Sequence, residues 1–251
     1  MKKSFIAVVL FVLVCSGVVC AFADKNILTV SESNANDANP LTTWNAGTVV
    51  SAEEVRAFGI DNCFKVESVS DDIFARMKGK SYPDGCNVNR SDLRYIKALH
   101  VDKDGRILLG EMVCNKAIAN DVKNILRQLY DAEYPIERMV LIDNYDANDE
   151  KSMSDNNSSS FCYRAVNGTN VLSKHSLGLA VDINTRYNPC VSHRNGVRRV
   201  EPANGEPYTD RSKKFPYKIV EGDLCHRLFT AKGFKWGGSW RTVKDYQHFE
   251  K

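Results

Sequence analysis

An α+β fold follows from three features of the 251-residue chain. Two strand-like runs flank an Asp-Gly turn, a strongly periodic helix comes next, and the later strands and helices do not alternate regularly. The runs lie in "LRYIKALHVDKDGRILLGEMVCN", Leu93 to Asn115, where Asp104-Gly105 suits the positive backbone dihedrals of a hairpin turn. Ile118, Val122, Ile125, Leu126 and Leu129 then recur at helical spacing, and Pro135, which has no amide donor, ends the pattern. "RMVLID" and "LAVDIN" read as short strands, and "GDLCHRLFTAKGF" as a helix closed by Gly233. Two polar loops, about Asn144 to Ser160 and Thr185 to Lys214, are long enough to suggest function or disorder.

Three segments are expected. Residues 1–23, "MKKSFIAVVLFVLVCSGVVCAFA", read as a secretory signal peptide: two lysines, an apolar run, and Ala21-x-Ala23 before Asp24. The run could also serve as an uncleaved anchor, but the small-residue exit favours cleavage and no stable membrane anchor is expected. Residues 24–58 are polar, rich in Asn, Ser, Thr and Ala, and without sustained periodicity, so they read as a polar extension. Residues 59–251 form the remaining domain. No internal repeat is visible, which excludes a solenoid.

Charge and cysteine content narrow the function. Cleavage would take the 34 basic and 31 acidic residues to 32 and 31. A nearly neutral chain argues against an electrostatic nucleic-acid binder. Six cysteines follow residue 23: Cys63, Cys86, Cys114, Cys162, Cys190 and Cys225. Their even number in an exported protein points to at least two disulfides, with buried free thiols as the other reading. Cys190 and His193 read as a disulfide half and an exposed imidazole rather than a second metal site.

The chemistry-bearing residues lie in two stretches. In "SKHSLGLAVDIN", Val181 and Ile183 would face the core and Asp182 the opposite side of the strand, while Gly178 lets the chain turn so that His175 can converge on Asp182. "DYQHFE" supplies His248 from a neighbouring strand. Two imidazoles and one carboxylate form a catalytic zinc set, which leaves one position open and the ion net positive, able to acidify a water and polarise a carbonyl. Asp245 is placed to act as base without being a ligand. Arg164, in "SFCYR", is a candidate oxyanion partner. Taken singly, each residue has a plainer reading: a strand-end aspartate bonding loop amides, or a surface arginine in an ion pair. In "FKWGGSW", Trp236 and Trp240 are either core or rim aromatics around a turn, or the lining of a substrate groove.

The joint pattern resembles the zinc D-alanyl-D-alanine carboxypeptidases, the VanY-like peptidases that also include L-alanyl-D-glutamate endopeptidases. "SKHSLGLAVDIN" is similar to their SxHxxGxAxD motif, "WGGSWRTVKDYQHFE" to their WGG-W-D-x-x-H-F-E block, and "SFCYR" to their arginine motif. The likeness extends over roughly Ile60 to Lys251 and includes "KGKSY", "DLRYI", "GEMVCN" and "YPIERM". It implies a small antiparallel sheet flanked by helices, a core shared with the Hedgehog signalling domain. It also implies Zn2+ held by His175, Asp182 and His248, Asp245 as base, Arg164 on the scissile carbonyl, and Ser173 near the substrate. Many members carry glutamate at the position of Asp245, and aspartate occurs in the endopeptidase branch. The expected activity is therefore that of an exported zinc peptidase acting on peptidoglycan stem peptides in the periplasm or the extracellular cell envelope, foremost a D,D-carboxypeptidase. An L-alanyl-D-glutamate endopeptidase is the alternative. A non-catalytic metal-containing binding module is disfavoured because base and arginine are both present.

Overall fold

The hairpin expected around Asp104-Gly105 forms the centre of the fold. In the computed structural model, which describes residues 39–166, 169–194 and 196–251, it comprises β3 (Leu93–Val101) and β4 (Ile107–Asn115). The Asp102 carboxylate fixes the turn by accepting from the amides of Asp104 and Arg106, both at 3.0 Å. Gly105 supplies the required φ of +77°. β1 (Val49–Val50) and β2 (Lys65–Ser68) extend the hairpin into an antiparallel sheet of order β1-β4-β3-β2.

Both faces of this sheet are covered at its centre, so β3 and β4 are almost continuously buried rather than alternating. Ile96, Ala98, Met112 and Cys114 belong to one apolar cluster, together with Val122, Ile125, Leu126 and Leu129 of α4 (Ala119–Asp131). Leu93, Tyr95 and Val113 belong to another, with Val69, Leu141, Phe161 and Met77 of α3 (Asp71–Met77). Between the layers Glu111 is only 2 % exposed, yet it is satisfied by Arg76 at 2.5 and 2.8 Å and by the Tyr95 hydroxyl at 2.8 Å.

The N-terminal reading needs correcting. Residues 1–23 and most of the extension's first half lie outside the described residues, but the chain from residue 39 on is built into the fold. α1 (Pro40–Thr43) and α2 (Ala52–Phe58) bracket β1, and Leu41, Trp44, Val50 and Val55 join the main core. Trp44 Nε1 donates to the Gly110 carbonyl at 3.0 Å, and Ser51 and Glu54 form a reciprocal capping box on α2. The described chain thus belongs to one compact unit from residue 39 on.

Two further small antiparallel sheets complete the expected α+β fold. One has the order β5-β10-β8, formed by β5 (Ala180–Asp182), β8 (Lys235–Trp236) and β10 (His248–Glu250). The other has the order β7-β6-β9, formed by β6 (Cys190–Arg194), β7 (Val197–Glu201) and β9 (Val243–Asp245). The two long polar loops are thus partly regular. One contains α5 (Asp149–Ser154) and the other the β6–β7 hairpin. α6 (Leu224–Ala231) ends before Gly233, whose φ is +82°. "RMVLID" is not a strand. The amides of Val140 and Leu141 bond to the side chains of Asn157 at 2.9 Å and Glu111 at 3.3 Å, and this replaces a strand ladder.

The disulfide expectation is also corrected: all six described cysteines are free. Cys63, Cys114 and Cys225 serve as small apolar residues within the main core. Burial pushes the Cys63 thiol up to about 11, which keeps it protonated.

One buried histidine gives the fold a pH dependence. His100 is 2 % exposed; its Nδ1 donates to the Ile136 carbonyl at 2.7 Å and its Nε2 is buried without a partner. Burial lowers its pKa to about 4, outweighing the raising effects of the Ile136 carbonyl and Asp102. The unfolded chain therefore binds a proton before the folded one does. The stabilisation is complete above the ordinary histidine value and is lost as pH falls towards 4. It amounts to on the order of 3 kcal/mol. Urea denaturation of the wild type and His100→Gln between pH 7 and 4 checks this: the variant should show a shallower loss of stability, and parallel curves would contradict it.

Candidate metal centre

The polypeptide assembles the centre from one turn and one strand pair. Ser173 caps a 3-10 turn, Lys174–Leu177, by accepting from the His175 amide at 3.2 Å. Gly178 reverses the chain with φ +65°. A Cβ there would lie 2.7 Å from the Asn115 amide nitrogen, so no larger residue fits. β5 then pairs antiparallel with β10, with Asp182 opposite His248 and Val181 opposite Phe249. Strand alternation sends Val181 and Phe249 into the core and leaves Asp182 and His248 together on the other face.

His175, Asp182 and His248 are buried, and each offers a ligand atom within 4.8 Å of the others. Asp182 Oδ2 lies 3.1 Å from His175 Nε2, Asp182 Oδ1 lies 3.0 Å from His248 Nδ1, and the two ring nitrogens are 3.2 Å apart. The outer partners decide which atoms face inwards. His175 Nδ1 meets the Ser160 carbonyl at 2.6 Å and His248 Nε2 meets the Glu250 carboxylate at 3.2 Å. Both partners accept, so both outward nitrogens carry protons, and the inward nitrogens are the ones that can give a lone pair to a metal ion once any proton held there is released. Two lone pairs and a carboxylate at contact distance need a shared positive charge. Burial opposes the Asp182 charge, yet His175 and His248 hold its carboxyl well below the usual range. Burial likewise opposes a charged His248, but hydrogen bonds to Asp182 and Glu250 raise it to about 10. This donor set fits a divalent metal ion.

A cavity of about 830 Å³ opens over the three residues. Asp245 lines it from β9, opposite Cys190 of β6. Gly237 permits this approach, because a Cβ there would lie 2.6 Å from the Asp245 carbonyl oxygen. Burial raises the Asp245 carboxyl to about 6, with the charge of Asp182 adding to the rise while His248 and His175 work against it. Its Oδ1 makes no hydrogen bond. Arg164 lines the same cavity and ion-pairs with Asp149 at the start of α5. Ser173 and Trp240 also line it, with the Trp240 ring centroid 5.3 Å from that of His248.

Trp236 departs from the expectation of substrate contact. It is 7 % exposed, donates from Nε1 to the Tyr246 carbonyl at 2.9 Å, stacks on Phe249 and does not line the cavity. Gly238 explains its position: a Cβ there would fall 2.3 Å from the indole ring. Cys190 is a free thiol on the cavity wall rather than half of a disulfide, while His193 is exposed as expected. Reading the sequence missed Asp149, the Ser160 carbonyl and Glu250. Of these only Glu250 left a signal, its place two residues after His248.

Residues 167–251 match a family model described as D-alanyl-D-alanine carboxypeptidase. The matched segment contains His175, Asp182, Asp245 and His248, whereas Arg164 and Asp149 precede it. No curated protein matches the chain, and no solved structure does.

Proposed function

We propose, from the match of residues 167–251 to the D-alanyl-D-alanine carboxypeptidase family model, that this protein is an exported zinc peptidase that hydrolyses peptidoglycan stem peptides, foremost at D-alanyl-D-alanine. The observation that carries the reading is the convergence of His175, Asp182, His248 and Asp245 on one cavity wall, all from the matched segment. Export rests on the sequence of residues 1–23. No helix among the described residues is long and apolar enough to cross a membrane.

In this proposal His175 Nε2, Asp182 and His248 Nδ1 hold zinc. When bound there, zinc supplies a Lewis acid that polarises the scissile carbonyl and acidifies water. Asp245 takes the proton of the attacking water on its carboxylate and delivers it to the leaving amine nitrogen. Its raised pKa suits both transfers near neutral pH. Arg164 faces the negative charge that builds on the carbonyl oxygen. Trp240 closes one wall of the cavity beside His248.

Aspartate at position 245, the residue type of the endopeptidase branch, favours cleavage at L-alanyl-D-glutamate as the second reading. Mass spectrometry of muropeptides incubated with the zinc-loaded protein separates the two. Loss of one terminal alanine is the expected result, and release of whole stem peptides would establish the endopeptidase. No change in any muropeptide would refute the peptidase reading.

A further inference from the structure

Asp149 is a half-buried charge at this centre that the proposed chemistry does not use. It is the first residue of α5, but it does not cap that helix: Asn148 does, accepting from the Lys151 amide at 2.9 Å. The Asp149 carboxylate instead turns into the cavity and ion-pairs with Arg164 Nη2, and both side chains are about 30 % exposed (31 % and 29 %). Besides Asp149, the neutral Cys162 thiol is a side-chain neighbour of the Arg164 guanidinium, but it supplies no charge. The Nε of Arg164 is buried without a hydrogen bond. Its backbone is tied down, accepting from Ser176 Oγ and from the Ser173 amide at 3.1 Å, but a fixed backbone does not orient a long guanidinium side chain.

α5 itself is anchored, so Asp149 starts from a fixed place. Glu150 accepts from the Ala203 amide at 2.7 Å, Asn157 Nδ2 donates to Ser152 Oγ at 3.0 Å, and Asn204 Nδ2 donates to the Ser154 carbonyl at 3.0 Å. The polar stretch from Asn144 to Ser160 is therefore a structured arm, and its only carboxylate bonded to Arg164 is that of Asp149. Asp182 also lies close enough to Arg164 to influence its charge. A guanidinium drawn to Asp182 would crowd the metal ligands, and Asp149 offers it another carboxylate.

We infer that Asp149 is a positioning residue: its carboxylate holds the Arg164 guanidinium at the cavity wall, in the orientation that meets the developing oxyanion. This rests on the role given to Arg164 in the proposed peptidase. Asp149 touches no reacting atom and acts through Arg164. Misplacing a reacting partner by about 1 Å can cost roughly 100-fold in rate, so removing the tether should lower kcat and leave KM nearly unchanged.

Two measurements on the zinc-loaded full chain test the inference. The first needs no activity: phenylglyoxal labelling, with the rate at Arg164 followed by peptide mass spectrometry and exposed Arg199 as internal reference. Asp149→Asn should speed labelling of Arg164 by about 5-fold or more as the ion pair is lost, Asp149→Glu should restore much of the protection, and Arg199 should not change. The second is a double-mutant cycle on muropeptides. Asp149→Asn should cost about 10- to 100-fold in kcat in the wild type and nothing further in Arg164→Gln. Unchanged labelling of Arg164, or a loss that multiplies with that of Arg164→Gln, overturns the inference. A wild type that cleaves no muropeptide overturns the peptidase reading instead, and the labelling result still decides whether Asp149 holds Arg164.

Discussion

Replacing His248 with alanine is expected to abolish metal binding and turnover together. In the proposed centre the side chain supplies one of three ligand atoms, and its loss leaves His175 and Asp182 facing each other 3.1 Å apart. Two protein ligands hold a divalent ion poorly. Affinity should fall by more than the roughly 10- to 100-fold that follows loss of an outer hydrogen-bond partner. Glu250→Gln provides that comparison, because the amide oxygen can still accept from His248 Nε2 while the negative charge is gone. The fold should survive His248→Ala. β10 is anchored by Phe249, which is fully buried and stacked on Phe229 with ring centroids 4.3 Å apart. Elemental analysis after dialysis, competition with a chromogenic chelator and circular dichroism measure these quantities. A variant that keeps one metal ion per chain at wild-type affinity would remove His248 from the ligand set.

What could be read in the sequence followed the range of the interactions involved. The β3–β4 turn and the apolar face of α4 depend on residues a few positions apart, and both stand where the local pattern put them. The candidate ligand set was legible for another reason. Its residue types sit in two short motifs, and strand alternation alone predicts that Asp182 faces away from the core. The register that places Asp182 opposite His248 joins residues 66 positions apart, and no local pattern encodes it. Similar long-range partners explain the misses. "RMVLID" has strand composition, but its amides are taken by Asn157 and Glu111. Residues 39–58 look polar on average, yet four well-spaced apolar side chains, Leu41, Trp44, Val50 and Val55, dock them onto the sheet. Trp236 shares its motif with Trp240 but lies on the core side of a glycine turn that a one-dimensional reading cannot orient. Asp149 sits in a polar run whose composition suggests only a loop, and its meaning depends on Arg164, fifteen residues later and in another motif.

Substituting Asp245 by asparagine should separate proton transfer from metal binding. Asp245 is not among the clustered ligands, so the metal content and affinity of Asp245→Asn should match the wild type. The amide has nearly the shape of the carboxylate, and β9 keeps its pairing with β6, so the melting temperature should not fall. Stability at neutral pH should rise, because burial drives the Asp245 carboxyl up to about 6 and so disfavours its charged form there. The sign is that of a raised acid. Below its ordinary pKa the carboxyl is neutral in both folded and unfolded chains, and as pH rises through 6 the folded state loses stability relative to the unfolded one. Asparagine removes that loss. Turnover should nonetheless fall by roughly 10²- to 10⁴-fold, the contribution of a positioned proton acceptor, because the amide cannot take the proton of the attacking water. Metal content, thermal melting at pH 5 and 8, and hydrolysis of a D-Ala-D-Ala-terminated peptide and of a stem peptide with an L-Ala-D-Glu bond are the measurements. If Asp245→Asn loses metal as His248→Ala does, Asp245 is a ligand. If it hydrolyses a verified substrate at the wild-type rate, the base is another residue, and Glu201, which lines the same wall opposite Cys190, becomes the first to replace.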